Sequence, residues 1–467
     1  MPPTTIKFGT DGWRGVIARD FTFANVRRVA QATADYWNDQ PLSKQAIVGY
    51  DNRFQSETFA RLTAEVLAGN GIATLLCPTA APTPSVSHAV RDRQLCGAVM
   101  ITASHNPPEF NGYKIKAHYA GSADPEICAA IEARVDRSPV RGPGQFEIYD
   151  PRPAHIAAVK RIVDLNLIRR SRLNVVCDSM HGSGNDLLER VLAGKACRVR
   201  TIRGDRQVLF GGVNPEPIGK NLAALCTAVK AARAQVGLAT DGDADRLGVV
   251  DEQGRYVSIQ LVYAMLLLHT LRNRQQTTGL IVRSTNGTML IDRIGKASGL
   301  EVVEVPVGFK WICQKMRETD VLIGGEESGG IGFRGHIPER DGVLAYLMLL
   351  EMLATMKQPL SIIAGNLQKE FGRSCYDRID THYPLDKRAL LIDTLRQQPP
   401  AKLAGVPLVR VNTSDGVKYI AGDDSWLMFR ASGTEPIVRI YSEAGSAQRV
   451  QQLLAWGRTR AVEIASG

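Results

Sequence analysis

The run Ala46–Leu76, AIVGYDNRFQSETFARLTAEVLAGNGIATLL, decides the fold. It opens on an apolar stretch, Ala46–Tyr50, with the length and composition of a strand. A polar turn follows, DNRFQS, and then an amphipathic helix over Glu57–Ala68. Gly69-Asn70-Gly71 stops that helix, and IATLL begins a second strand. The pattern returns at Leu173–Cys177, with the turn DSMHGSG, a helix over Asn185–Ala193 and a strand near Val199–Ile202. It returns again at Gly279–Arg283, with the turn STNGT, a helix over Met289–Ala297 and the strand EVVEV. Strands alternating with helices of this length imply mostly parallel sheets, and the threefold recurrence predicts three related α/β units in series.

The C-terminal part reads differently. From about Cys375 the strand-like runs VPLVRVN, GVKYIA, SWLMFR and IVRIYSEA follow one another with fewer crossover helices, and a helix over Ala447–Ala461 closes the chain. This predicts a smaller α+β domain. The expected divisions are 1–150, 151–255, 256–372 and 373–467, with Pro151-Arg152-Pro153 and Phe371-Gly372 as hinges.

A chain of 467 residues has room for three or four domains of ~100–200 residues each. The N-terminus has no basic segment followed by an apolar one, so no secretory signal is expected. The most apolar helical stretch, Gly342–Met356, is interrupted by Glu351 and falls short of the roughly 20 residues a bilayer needs. The expected location is cytoplasmic, without membrane partners. None of the eight cysteines forms a CxxC pair, which disfavours zinc ribbons and thioredoxin-like sites. The net charge of +10 is dispersed, and aromatics are only 6%. A nucleic-acid binder concentrates charge and interleaves aromatics. Steering of a small anionic substrate fits better, with simple solubility as the competing reading.

Six segments carry candidate chemistry. In DGDAD, Asp241, Asp243 and Asp245 recur at i, i+2, i+4. Like charges ~4 Å apart repel by about 4 kcal/mol at an effective dielectric near 20, and a hard divalent cation relieves this. A calcium EF-hand is disfavoured because its sixth position, which needs Gly, is Arg246. A solvated acidic turn is the bland alternative. In MITASHNPP, Ser104 follows a strand, where a hydroxyl can project from a sheet end, with His105 and Lys114 near in sequence. A serine is a weak nucleophile without help, and Ser, Asn and Pro also make ordinary turns. In GGEESGG, Glu326 and Ser328 alternate and can face sugar hydroxyls; a flexible connector is the alternative. In RASGTEP, Arg430, Ser432, Gly433 and Thr434 suit a phosphate dianion. FGTDGWRG places Arg14 in a glycine-rich turn, and VGFKW places Lys310 in a turn after EVVEV.

The combination of TASHNP, DGDADR, GGEESGG and RASGTEP, in that order, strongly resembles the α-D-phosphohexomutase family, the phosphoglucomutases, phosphomannomutases and phosphoglucosamine mutases. The resemblance runs from Phe8 to about Glu443. It implies three related mixed α/β domains and a smaller α+β domain, arranged as a heart around one central cleft. It also implies that Ser104 is the residue phosphorylated in the active enzyme. Asp241, Asp243 and Asp245 match Mg²⁺ ligands, with the phosphoserine of Ser104 adding an oxygen. Arg246 matches the arginine that holds the phosphoserine, Lys114 a lysine proposed to help proton transfer, and His105 and Arg14 residues beside the phosphoserine. Glu326 and Ser328 match the pair that grips sugar hydroxyls. Arg430, Ser432, Gly433 and Thr434 match the loop that grips the non-reacting phosphate, and Lys310 a loop contacting the sugar.

In that family the phosphoserine donates to a hexose 1- or 6-phosphate. The resulting hexose 1,6-bisphosphate turns over in the cleft and returns its other phosphate to serine. The implied cofactors are Mg²⁺ and glucose 1,6-bisphosphate, and the implied partners are phosphosugars, with a monomer or homodimer. Relatives that take mannose phosphates often carry His where Gly330 stands, and phosphoglucosamine mutases often carry Gln where Glu327 stands. Both departures lean the sugar towards glucose. Two other readings share these motifs: a glucose 1,6-bisphosphate synthase that releases the bisphosphate, and a non-catalytic phosphosugar-binding protein. His336 is left without a functional assignment and reads as structural.

Overall fold

The computed structural model describes residues 5–192, 196–431 and 437–466. Four sheets follow one another along the chain. The first contains β1 (Trp13–Val16), β2 (Gln45–Tyr50), β3 (Ala73–Leu76), β4 (Gly97–Ile101), β5 (Phe110–Ala117) and β6 (Glu147–Ile148). The second contains β7 (Asn174–Asp178), β8 (Arg198–Ile202), β9 (Val236–Thr240), β10 (Leu247–Asp251) and β11 (Tyr256–Val257), so it extends past residue 255. The third contains β12 (Leu280–Ser284), β13 (Val302–Val305), β14 (Val321–Gly325) and β15 (Ile331–Phe333). The fourth contains β16 (Cys375–His382), β17 (Lys402–Leu403), β18 (Val406–Asn412), β19 (Val417–Ala421), β20 (Trp426–Ala431) and β21 (Ile437–Ala444).

The first three sheets are mixed rather than mostly parallel. Their centres are parallel, with β2 pairing β3 and β4, β7 pairing β8 and β9, and β12 pairing β13 and β14. In each, one more strand turns straight back antiparallel: β5 on β4, β10 on β9, β15 on β14. The reason is the loop between them. Loops too short for a crossover helix connect antiparallel neighbours. These are the loops that carry Ser104, DGDAD and GGEESGG. The fourth sheet is antiparallel throughout, and residues 432–436 join its paired strands β20 and β21.

Burial explains one helix that sequence pattern could not. Gly342–Met356 is apolar all round, and its residues 342–354 are buried. It lies in the interior, inside a core that joins the second and third units. Among the described residues no single helix is long and apolar enough to cross a membrane. Three forecast helices differ at their ends; the one expected over Glu57–Ala68 runs Ser56–Gly69. The one expected from Asn185 runs Leu187–Leu192, because Ser179 and Asn185 engage each other in the preceding turn. The last helix continues to Ser466.

Candidate active site

The turn DNRFQS after β2 turns out to build the serine loop. Arg53 is fully buried, with Asp51 3.1 Å from its Nε. Its two terminal nitrogens donate to four backbone carbonyls: Ser104 and Asn106 at 2.7 and 2.6 Å, Pro107 and Phe110 at 2.7 and 3.0 Å. Asp51 also accepts from Thr102 Oγ1 at 2.6 Å, and Thr102 in turn accepts from the Ser104 N–H at 2.8 Å. This network holds Ser104 in the left-handed region, φ 54°, a conformation that costs a non-glycine residue energy and clusters at functional sites.

The held serine meets the acidic loop of the second unit. Ser104 Oγ donates to Asp241 Oδ2 at 2.7 Å. The two loops approach so closely that a side chain at Gly242 would lie 2.4 Å from the Ser104 carbonyl oxygen, which is why glycine stands there. Asp241, Asp243 and Asp245 are all fully buried, with ligand oxygens within 4.8 Å of one another. Asp243 Oδ1 and Asp245 Oδ1 have no hydrogen-bond partner. An all-oxygen, buried, partly unpartnered carboxylate trio fits Mg²⁺ chemically.

The charges around the trio sort its members. Burial, then the carboxylates of Asp245 and Asp243, push the Asp241 carboxyl well above its usual range. At Asp243 burial acts the same way but is outweighed: Lys114 Nζ lies 2.8 Å away and Thr83 Oγ1 donates at 2.6 Å, so its carboxyl is held low. Lys114 is itself buried, yet Asp11, Asp243 and Asp245 raise its pKa above the usual lysine value. It stands as a cation. His105 is driven the other way, by burial and by Arg246, Arg14, Arg439 and Lys114, so its imidazole is neutral. Its Nδ1 lies 3.4 Å from Ser104 Oγ.

Arg246 Nε is 3.8 Å from both Asp241 and Asp245. Arg14, on β1, donates to Asn106 Oδ1 at 2.6 Å, on the serine loop. Glu326 accepts from the Gly308 N–H at 2.9 Å and from Arg340 Nη1 at 3.2 Å. Ser328 is half-buried beside it. Lys310 belongs to the first turn of the helix Phe309–Glu318, not to a turn, and its Nζ lies over the Trp311 ring. Arg430 sits near the end of β20, with Nε 2.9 Å from Asp415. Ser432, Gly433 and Thr434 lie outside the described residues.

Besides Arg53, two groups escaped sequence reasoning. Arg340 is buried and touches Asp11 at 2.5 Å, Asp245 at 2.8 Å and Glu326 at 3.2 Å, one partner from each of the first three units. Asp11 also lies 2.8 Å from Lys114. Asp11 stood in plain view in FGTDGWRG, but nothing local distinguished it from a turn aspartate. Arg340 lies between two acidic residues in PERDG, which reads as a surface charge cluster.

Four family models match the chain in order. They are phosphoglucomutase/phosphomannomutase alpha/beta/alpha domain I over residues 5–140, domain II over 153–254, domain III over 261–371, and the C-terminal domain over 394–455. A "Phosphoglucomutase/phosphomannomutase" of Thermococcus kodakarensis is 31% identical, covering 96% of this chain and 97% of the relative. A "Probable phosphoglucosamine mutase" of Pyrococcus abyssi is 30% identical, covering 96% of each. The crystal structure of a putative phosphomannomutase from Thermus thermophilus superposes with a TM-score of 0.87 at 38% identity, covering 98% of this chain and 99% of that one.

Proposed function

The chain belongs to the phosphoglucomutase/phosphomannomutase family and is a phosphohexomutase, an intramolecular phosphotransferase; on that premise we propose that it interconverts glucose 1-phosphate and glucose 6-phosphate through phospho-Ser104 and glucose 1,6-bisphosphate. The observation that carries this is the Ser104 hydroxyl held 2.7 Å from Asp241 inside a buried carboxylate trio. Gly330 and Glu327 support glucose, because relatives that also take mannose phosphates often carry His at the first position and phosphoglucosamine mutases often carry Gln at the second.

Asp241, Asp243 and Asp245 would hold Mg²⁺, which when bound offsets negative charge on the transferring phosphoryl group. Phosphoserine at Ser104 would carry about −1.5 to −2 charges, and Arg246 and Arg14 stand beside its loop to offset them. The phosphoryl–Oγ bond breaks as a bond to the sugar hydroxyl forms. Lys114, protonated in this site, supplies the proton at the serine oxygen, and neutral His105 accepts one from the incoming hydroxyl. In the second half-reaction the same exchanges run in reverse on the other phosphate. Glu326, Ser328 and Lys310 orient the sugar. Arg430, with Ser432, Gly433 and Thr434, binds the phosphate that is not reacting.

The test is a substrate panel of glucose, mannose and glucosamine phosphates with Mg²⁺ and catalytic glucose 1,6-bisphosphate. Fastest turnover of glucose 1-phosphate is expected; faster turnover of another sugar overturns the glucose assignment. Measuring free bisphosphate in a single cycle distinguishes a mutase, which retains it, from a bisphosphate synthase, which releases it.

A further inference from the structure

A cavity of about 880 Å³ opens on the seam between the second and third units. It lies at the opposite end of the second sheet's strands from the acidic loop. Ala234 and Gln235 line it, and β9 runs from there for five residues to Asp241, about 17 Å at the usual strand rise. The helix Gly342–Met356 links the same two places, beginning beside Arg340 and ending at Lys357 on the cavity wall.

The cavity lining is predominantly cationic. Arg170, Arg172, Lys230, Arg233 and Lys357 line it, and among the described residues none of these five side chains pairs with a carboxylate. Glu252 is the acidic group in the lining, and its carboxylate is occupied by the Ser361 hydroxyl and N–H. Two helices, Ala223–Ala232 and Gly342–Met356, end at the rim, each adding about half a negative charge. Set against five cations and one carboxylate, this leaves the rim at about +3. The floor is different. The less exposed part of the lining is apolar: Leu353 is buried and Leu167 and Leu173 are half-buried, beneath cations that are all exposed. A cavity near the upper end of the ~300–1,000 Å³ range, with an apolar floor and convergent charged groups, has the form of a small-molecule site.

We propose that this cavity binds a nucleoside di- or triphosphate, whose about three or four negative charges meet the cationic rim and whose ring covers the apolar floor. The rim charge matches the phosphates, and the leucines bury the ring face. A hexose monophosphate matches neither feature, having fewer charges and a hydroxylated body. Such a ligand bridges the second and third units at a distance from the reacting groups.

The experiment is calorimetric titration of the full chain with ATP in EDTA, with the catalytic cleft saturated by glucose 1,6-bisphosphate. One equivalent of ATP is expected to bind. In the double variant Arg172→Glu, Arg233→Glu the affinity should fall at least tenfold, while phosphosugar turnover stays at the parent level and confirms the fold. Inorganic triphosphate, which lacks the ring, should bind at least tenfold more weakly than ATP. No ATP binding with the cleft filled overturns the proposal, as does equal binding by the double variant. Triphosphate binding as tightly as ATP overturns the assignment to a ring-bearing ligand.

Discussion

Among the described residues, two buried clusters have the composition of a metal site. Asp241, Asp243 and Asp245 form one, and His155, His336 and Asp341 the other, each with its ligand atoms within 4.8 Å. They differ in what their oxygens already hold. Asp341 is full: Oδ1 accepts from the N–H groups of Val343 and Leu344 at 2.9 and 3.0 Å, capping the helix Gly342–Met356. Its Oδ2 accepts from His155 and His336 Nε2 at 2.6 and 2.9 Å. An ionised carboxylate only accepts, so both imidazoles must carry their proton there. The aspartate trio is unfinished, with two oxygens unpartnered and one carboxyl pushed up by burial and by its fellows. Equal burial with unequal satisfaction separates a site built for a ligand from a joint that ties units together.

The strongest way to break that distinction is Ser104→Ala. Turnover should fall by about 10⁴-fold or more, as for other lost nucleophiles, while calorimetry shows phosphosugar binding largely retained. Unchanged turnover would remove Ser104 from the chemistry. Next comes Asp241→Asn. It should lower turnover by about 10²–10³-fold, the scale of lost electrostatic stabilisation. In EDTA it should raise the melting temperature, because it removes a carboxylate that its neighbours and its burial disfavour. Asp341→Ala should do the reverse. Its charged hydrogen bonds are structural, so urea unfolding should show a loss of about 3 kcal/mol or more, with turnover of the folded fraction retained. If Asp341→Ala abolished turnover in a folded protein, the two clusters would not be different in kind.

The smallest effect is one of pH. His88 stacks beside His336, its Nδ1 buried without a partner. Burial, and then His155 and Arg91, bring its pKa from 6.5 down to about 4. The unfolded chain therefore binds a proton at higher pH than the folded one. The folded state keeps its full advantage above about 6.5 and loses it progressively as pH falls towards about 4. Unfolding curves between those values should show this decline, and His88→Leu should flatten it. An unchanged slope in the variant would mean that His88 does not titrate as its surroundings dictate.

Much of this was legible in the sequence, for identifiable reasons. The α/β units announced themselves through strand and helix periodicity, and Met289–Ala297 and Gly342–Met356 form helices over the ranges the sequence suggested. The antiparallel return strands were hidden, because β5, β10 and β15 follow loops that look like any polar turn. The three aspartates could be named because their spacing is local, whereas Ser104 reads locally as a turn serine and stands out only in company with the other motifs. Arg53, Arg340 and Asp11 could not, because their partners lie far off along the chain, 51 residues away for the Ser104 carbonyl and 329 for the Arg340–Asp11 pair. Buried arginine is rare unless paired, and the partners that make it tolerable appear only once the units are packed.

The proposed chemistry stands on one covalent event, and isotope transfer reads it directly. The chain is incubated with glucose 1,6-bisphosphate labelled in both phosphates, freed of ligand, and digested for peptide mapping. Label should appear on the peptide containing Ser104 and nowhere else, and unlabelled glucose 1-phosphate should chase it into soluble sugar phosphate. Label on another residue, or label on Ser104 that glucose 1-phosphate fails to remove, would contradict a phosphoserine that carries the transferred group.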